Sequence, residues 1–196
     1  MSILFILFLI FAYGLGSLSS AIIISKVLNL PDPRTQGSGN PGTTNVLRVS
    51  GKLAAILVLI GDVLKGFIPI MFATLFGFGP LALAVILLAA VIGHVFPVFF
   101  DFKGGKGIAT AFGGLIALAP LLALIAAIIW VAVVVVTRYV SLACIVVTLT
   151  IPILSLWLAG DAAVFIPMAL MGGLILWRHR DNILRLREGT ESKIKL

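Results

Sequence analysis

IATAFGGLIALAPLLALIAAIIWVAVVVV, residues 108–136, is the longest apolar run in the chain, and it holds one proline, Pro120. As a single helix rising 1.5 Å per residue it would overshoot a hydrocarbon core of roughly 30 Å. Whether it is one helix or two decides on which side of a membrane everything after it lies. That a membrane is the setting follows from composition. Hydrophobic residues make up 61% of the 196 and charged residues 11%, against roughly 45–50% and about 25% in soluble domains. Other apolar runs cover 3–25, 53–76, 81–100, 141–158 and 162–177. They have helical lengths and no dyad alternation, so they read as helices and not as barrel strands. No lysine or arginine precedes the first run, which is long enough to span. It therefore reads as a retained first helix, although Ser17, Ser19, Ser20 and Ala21 resemble a cleavage region. The lone Cys144 sits in an apolar run and reads as a small packed hydrophobe.

Charge placement settles the reading of 108–136. The chain carries a net charge of +7, and apart from Lys65 its basic residues fall within 26–52, at Lys103 and Lys106, at Arg138, and within 178–195. The connections at 77–80 and 159–161 have none. Basic segments belong in the cytoplasm. One long helix would put Arg138 and the basic tail across the membrane from Lys103; a break between Ala119 and Pro120 returns them to the same side. Each arm would then hold roughly 12–17 residues, short for a full crossing, so the hairpin is expected to tilt or to span incompletely. The expected fold is all-α: a polytopic membrane bundle of seven transmembrane helices. Its N-terminus lies outside and its C-terminus in the cytoplasm, with residues 1–196 forming a single domain and no internal repeat.

Three polar stretches then share the cytoplasmic face: GSGNPGTTNVLR (37–48), GHVFPVFFDFKGGKGIAT (93–110) and RHRDNILRLREGTE (178–191). In the first, Gly37, Gly39 and Gly42 satisfy G-x-G-x-x-G, and Thr43 and Thr44 come close to a P-loop ending. Both patterns need a strand before them in a soluble α/β unit, a context that is missing here. What remains is an inventory of donors without a carboxylate: freed backbone N–H groups, the side chains of Ser38, Asn40, Thr43, Thr44 and Asn45, and the Arg48 guanidinium. Such turns form anion-binding nests, reinforced by a following helix N-terminus. In the second stretch Lys103, Gly104, Gly105, Lys106 and Gly107 repeat the theme. Two basic glycine turns beside a basic tail point to two anionic groups bound close together.

The remaining polar residues divide. Lys52, Arg185, Arg187, Lys193 and Lys195 read as interfacial anchors. His94 reads equally as a structural histidine or a pocket wall. His179 and Asn182 share a helix face, and His179 is a candidate base, phosphate donor or interfacial residue. With few carboxylates near either histidine, no metal site is expected. Asp101 is placed to orient Lys106 or to cap its hairpin. Asp62 and Lys65, at i and i+3 inside an apolar run, form either a structural contact or a substrate site.

GSGNPGTTNVLR, then the GGKG stretch, then HRDNI followed by EGTE resemble the three motifs of bacterial membrane acyl-phosphate:glycerol-3-phosphate acyltransferases. The resemblance extends over the whole chain in motif order. It implies an enzyme of the bacterial inner membrane that transfers a fatty acyl group from acyl-phosphate to the 1-hydroxyl of sn-glycerol 3-phosphate. The products are 1-acylglycerol 3-phosphate and phosphate, no cofactor is required, and the active site faces the cytoplasm. It assigns glycerol 3-phosphate chiefly to the second motif. Ser38 and Arg48 are implied to be essential, His179 and Asn182 to support activity, and Glu188 to be mainly structural. A soluble phosphate acyltransferase is the implied upstream partner, and nucleic acid is not expected. The competing class is a transporter of a small phosphorylated anion. Transporters place their polar groups near the midplane; these gather at one face.

Overall fold

The computed structural model describes residues 2–194, so Lys195 lies outside the described residues. Within that range all regular structure is helical: α1 (Ile3–Gly16), α2 (Ser20–Val27), α3 (Thr43–Leu75), α4 (Pro80–Val95), α5 (Ile108–Leu118), α6 (Pro120–Thr137), α7 (Val140–Leu158), α8 (Phe165–Arg178) and α9 (Arg180–Arg187). The long apolar run divides at its proline. Ala119 leaves the helical region at φ −150° and ψ 80°, and Pro120 starts α6, where its missing N–H has no helical partner to lose. The two arms are unequal. With 11 residues, α5 is about 16 Å long at 1.5 Å per residue. With 18 residues, α6 is long enough to cross a membrane. The expectation of two short arms therefore holds for α5 alone, because α6 runs on to Thr137 before Arg138 ends it in a left-handed conformation.

Two further breaks occur, the first of them inside the run 3–25, which reads as continuous in the sequence. Residues 17–19 separate α1 from α2 with a bend of 45°. Gly51 interrupts α3 at φ 87° and ψ −179°, a region essentially restricted to glycine. It separates a short first segment, 43–50, from the apolar span Lys52–Leu75. A third bend of 58° divides α8 from α9 at His179.

Small residues set the helix spacing, as they do where lipid removes the hydrophobic drive between helices. A Cβ at Gly16 would overlap the Ala90 carbonyl oxygen, and one at Gly93 that of Tyr13, so α1 and α4 touch backbone to backbone. Gly66 and Gly113 bring α3 and α5 equally close, against Thr110 and Val63. Ile70, Ile86, Leu87, Leu122 and Met168 fill the interior, while Leu59, Val136, Trp157 and Leu170 face outward. A bundle apolar on both sides is one surrounded by hydrocarbon.

The Asp62–Lys65 pair has a structural explanation. Both side chains are buried. Lys65 Nζ lies 2.9 Å from Asp62 Oδ1 and donates at 3.0 Å to the Leu18 carbonyl, which the break between α1 and α2 leaves outside both helices. A backbone group unpartnered in hydrocarbon costs several kcal/mol; here a neutralised lysine supplies the missing donor.

The divided run carries a directional test. Cysteines placed at Leu121 and at Arg138 in a Cys144→Ala background are expected to react with an impermeant thiol reagent from opposite sides of sealed vesicles. Labelling from one side would mean that α6 does not cross.

Candidate active site

The GGKG turn is shaped by α4. After the turn at Val98–Phe100, Asp101 and Phe102 both adopt positive φ, 54° and 56°, and reverse the chain. The Gly104 N–H then donates to Val95 O, and the Gly105 N–H to His94 O, each at 3.2 Å. A Cβ at Gly104 would overlap the His94 carbonyl oxygen, and one at Gly105 would overlap His94 Nε2. The glycines are required by this close approach, and their N–H groups are already bonded within the chain. Their carbonyls are gripped from the other side by Arg178, with Nε 3.2 Å from Gly105 O and Nη2 2.9 Å from Gly104 O. What the turn presents is Lys106; Lys103, just before it, is exposed, and Gly107 caps α5 at φ 89°.

Lys106 Nζ donates to Asn182 Oδ1. The Asn182 amide donates to Glu191 Oε1 at 2.7 Å, as does the Ser141 hydroxyl, while Arg185 Nε holds Glu191 Oε2 at 2.6 Å. Burial alone would raise the Glu191 carboxyl, but the hydrogen bonds from Ser141, Asn182 and Arg185 outweigh it and hold the group below the usual glutamate range. Lys106 is pulled below the usual lysine range, chiefly by burial, with Arg185 and Arg178 adding repulsion and Glu191 opposing it.

Two sequence expectations change here. The acid that buttresses the third motif is Glu191; Glu188 is exposed. Arg185 pairs with Glu191 and is no free anchor. The geometry depends on Gly189, whose φ of 71° turns the tail back so that the N–H groups of Thr190 and Glu191 both donate to Arg185 O. A carboxylate just past a helix-ending glycine was the available signal. Ser141, far away in sequence, had none. Residues 193 and 194 lie against the junction between α6 and α7, with the Ile194 N–H donating to Arg138 O at 2.8 Å and Lys193 stacked over Tyr139.

His179 lies at the bend between α8 and α9, buried, with Nδ1 2.8 Å from Ile175 O. A carbonyl accepts only, so Nδ1 carries a proton, and the neutral ring offers the lone pair of Nε2. That makes His179 an acceptor at Nε2 in its neutral form.

The first motif forms a separate cluster. Buried Asn45, on the first turn of α3, accepts from the Ser38 N–H at 2.9 Å and donates to Pro33 O at 2.9 Å and Gln36 O at 3.0 Å. Its amide therefore organises the loop from within. Gly37 and Gly39 adopt φ of 58° and 68°, and Gly42 donates to Asn40 O. Ser38, Thr44 and Arg48 are exposed and Thr43 is half-buried; Gly42 opens α3 without a side-chain cap. Hydrogen bonds from Arg34 hold Asp32 below the usual aspartate range. Among the described residues no hydrogen bond joins this loop to Lys106, and no group of three His, Cys, Asp or Glu side chains is arranged for a metal.

A family profile described as glycerol-3-phosphate acyltransferase matches residues 6–189. A glycerol-3-phosphate acyltransferase of Shewanella halifaxensis is 50% identical over 194 residues, which cover 99% of this chain and 96% of that protein. One from Shewanella oneidensis is 48% identical, over 96% and 92%. The crystal structure of PlsY (YgiH), an integral membrane glycerol 3-phosphate acyltransferase in its glycerol 3-phosphate form, superposes with a TM-score of 0.91. Its sequence is 44% identical, with 97% of this chain and 96% of that one covered. Its lysophosphatidic acid form matches at 0.88 and 43%, over 97% and 95%.

The two glutamates make an internally controlled test. Glu191→Ala is expected to destabilise the purified protein by about 2–3 kcal/mol, because Ser141, Asn182 and Arg185 all lose their acceptor, whereas Glu188→Ala should stay within about 0.5 kcal/mol. The folded-state pKa of Glu191 is lowered, so its contribution is present above the unfolded glutamate pKa and is lost as pH falls through the folded value. The gap between wild type and Glu191→Ala in unfolding assays should therefore narrow below about pH 4. Equal effects of the two substitutions would overturn the assignment.

Proposed function

This chain belongs to the glycerol-3-phosphate acyltransferase family, and from that premise we propose how it transfers a fatty acyl group from acyl-phosphate to the 1-hydroxyl of sn-glycerol 3-phosphate. The reading rests on Lys106. Its ammonium is half-buried against a neutral amide oxygen, with the Glu191 carboxylate one step removed and Arg178 and Arg185 nearby. A desolvated cation without an adjacent counter-charge is completed by a phosphate dianion. Lys106 and Asn182 accordingly hold the phosphate of glycerol 3-phosphate. Ser38, Arg48 and the open N-terminus of α3 serve the phosphate of the donor.

The hydroxyl oxygen forms a bond to the acyl carbonyl carbon. The bond from that carbon to the bridging phosphate oxygen breaks, and phosphate departs with the electron pair. Acyl-phosphate is a mixed anhydride with a good leaving group, so positioning and charge stabilisation carry the step without a protein nucleophile. The proton passes to a phosphate oxygen of the substrate, whose second pKa is near 6 (about 6 for phosphate monoesters). His179 Nε2 accepts from the 2-hydroxyl and so orients the glycerol, leaving the proton of the 1-hydroxyl to the phosphate. The products are 1-acyl-sn-glycerol 3-phosphate and phosphate.

We place the protein in the bacterial inner membrane as one domain crossing seven times, counting the bent pair α1–α2 once, α5 as a short crossing, and α8 as the last. The clustered basic residues support a reading with both glycine turns and α9 in the cytoplasm and the N-terminus outside. A soluble phosphate acyltransferase supplies acyl-phosphate at that face.

Two kinetic outcomes test the roles. Lys106→Ala should raise KM for glycerol 3-phosphate by roughly 10–100-fold, the loss of one charge-assisted contact, and leave KM for acyl-phosphate nearly unchanged. A matching rise for both substrates would make Lys106 structural. His179→Gln keeps an acceptor but cannot titrate, so it should retain substantial activity with an unshifted pH–rate profile, well above His179→Ala. If the two were equally inactive and the acid limb of the profile vanished, His179 would be the base.

A further inference from the structure

We propose that His94 is a positioning residue for glycerol 3-phosphate, acting through the GGKG turn on Lys106; the proposal rests on the role of Lys106 given above. His94 meets the turn twice. Its carbonyl accepts the Gly105 N–H at 3.2 Å, and its ring packs against Gly105, with Nε2 so close that a Cβ there would overlap it. The imidazole is thus the surface on which the turn rests.

The ring is itself held at its other nitrogen. Nδ1 lies 3.2 Å from Thr110 Oγ1 and 3.7 Å from Asp62 Oδ1. Thr110 belongs to the first turn of α5, immediately beyond Lys106 and Gly107, so both ends of the turn are registered on one ring. Asp62 is fixed in turn by Lys65, which also binds Leu18 O. All four side chains are at least nine-tenths buried: Asp62 at 3%, Lys65 at 4%, His94 at 6% and Thr110 at 0% exposure. A buried polar cluster is tolerated when its members satisfy one another, and it then specifies one arrangement. This one joins the break between α1 and α2, α3, α4 and α5 to the backbone that carries Lys106. None of its side chains is among the donors presented to phosphate, so its influence on binding runs through the position of the lysine.

The test uses purified full-length protein and steady-state kinetics with both substrates. His94→Ala removes the seat beneath Gly105 and is expected to raise KM for glycerol 3-phosphate about tenfold, with kcat within about twofold and KM for acyl-phosphate unchanged. Thr110→Val preserves shape but removes the hydroxyl that orients the ring; an increase of about threefold in the same constant is expected. In a Lys106→Gln background, His94→Ala should add less than about twofold, because the two residues act in series. Multiplying effects in the double variant, or equal rises for both substrates, would overturn the proposal. If His94→Ala does not fold, Thr110→Val decides alone: an unchanged KM for glycerol 3-phosphate overturns it. Lys106→Gln without effect on that KM overturns the lysine's role and this inference together. An effect there with none from His94 or Thr110 overturns only the inference.

Discussion

The interaction on which the site depends is the contact between the Gly104–Gly105 backbone and the end of α4. Two N–H groups meet the carbonyls of Val95 and His94, and no side chain fits in the gap. Once that contact is made, the outer carbonyls of the turn are free for Arg178, which carries α8 with it. The bend after α8 then brings Asn182 to Lys106. A flexible glycine segment is converted in this way into a rigid mount for one ammonium group, and rigidity of this kind supports catalysis by positioning.

Electrostatics complete the arrangement. Glu191 lies behind Asn182 and not against Lys106, held by the Ser141 hydroxyl, the Asn182 amide and Arg185. A direct lysine–glutamate pair would neutralise the cation and remove its need for an external anion. An amide placed between them orients the lysine and leaves its charge available. The folded-back tail is therefore part of the candidate site, since it delivers the carboxylate that fixes the Asn182 amide.

The hydrocarbon setting explains where the helices break. Interruptions in the membrane require substitute partners for the backbone, and the first break has one in Lys65. The break at Gly51 and the bend at His179 fall beside the first and third polar stretches, where loop and helix end supply side chains. Glycine pairs between α1 and α4 and between α3 and α5 bring these helices close enough for the buried Asp62–Lys65–His94–Thr110 cluster to form across them.

The class of fold and the division at Pro120 were legible in the sequence, because apolar helix length and the placement of basic residues are local, additive properties. The sequence also singled out the glycine turns, Lys106, His179 and Asn182 as candidates, because their chemistry is readable from residue type. It did not separate α1 from α2, since an apolar run looks the same whether straight or bent. Nor did it reveal that Gly104 and Gly105 serve a backbone contact, that Asn45 is bound up in its own loop, or that Glu191 and not Glu188 is the buttress. Those assignments depend on which carbonyl or amide lies within about 3 Å of each group, and only tertiary packing across residues as distant as Ser141 and Glu191 decides that.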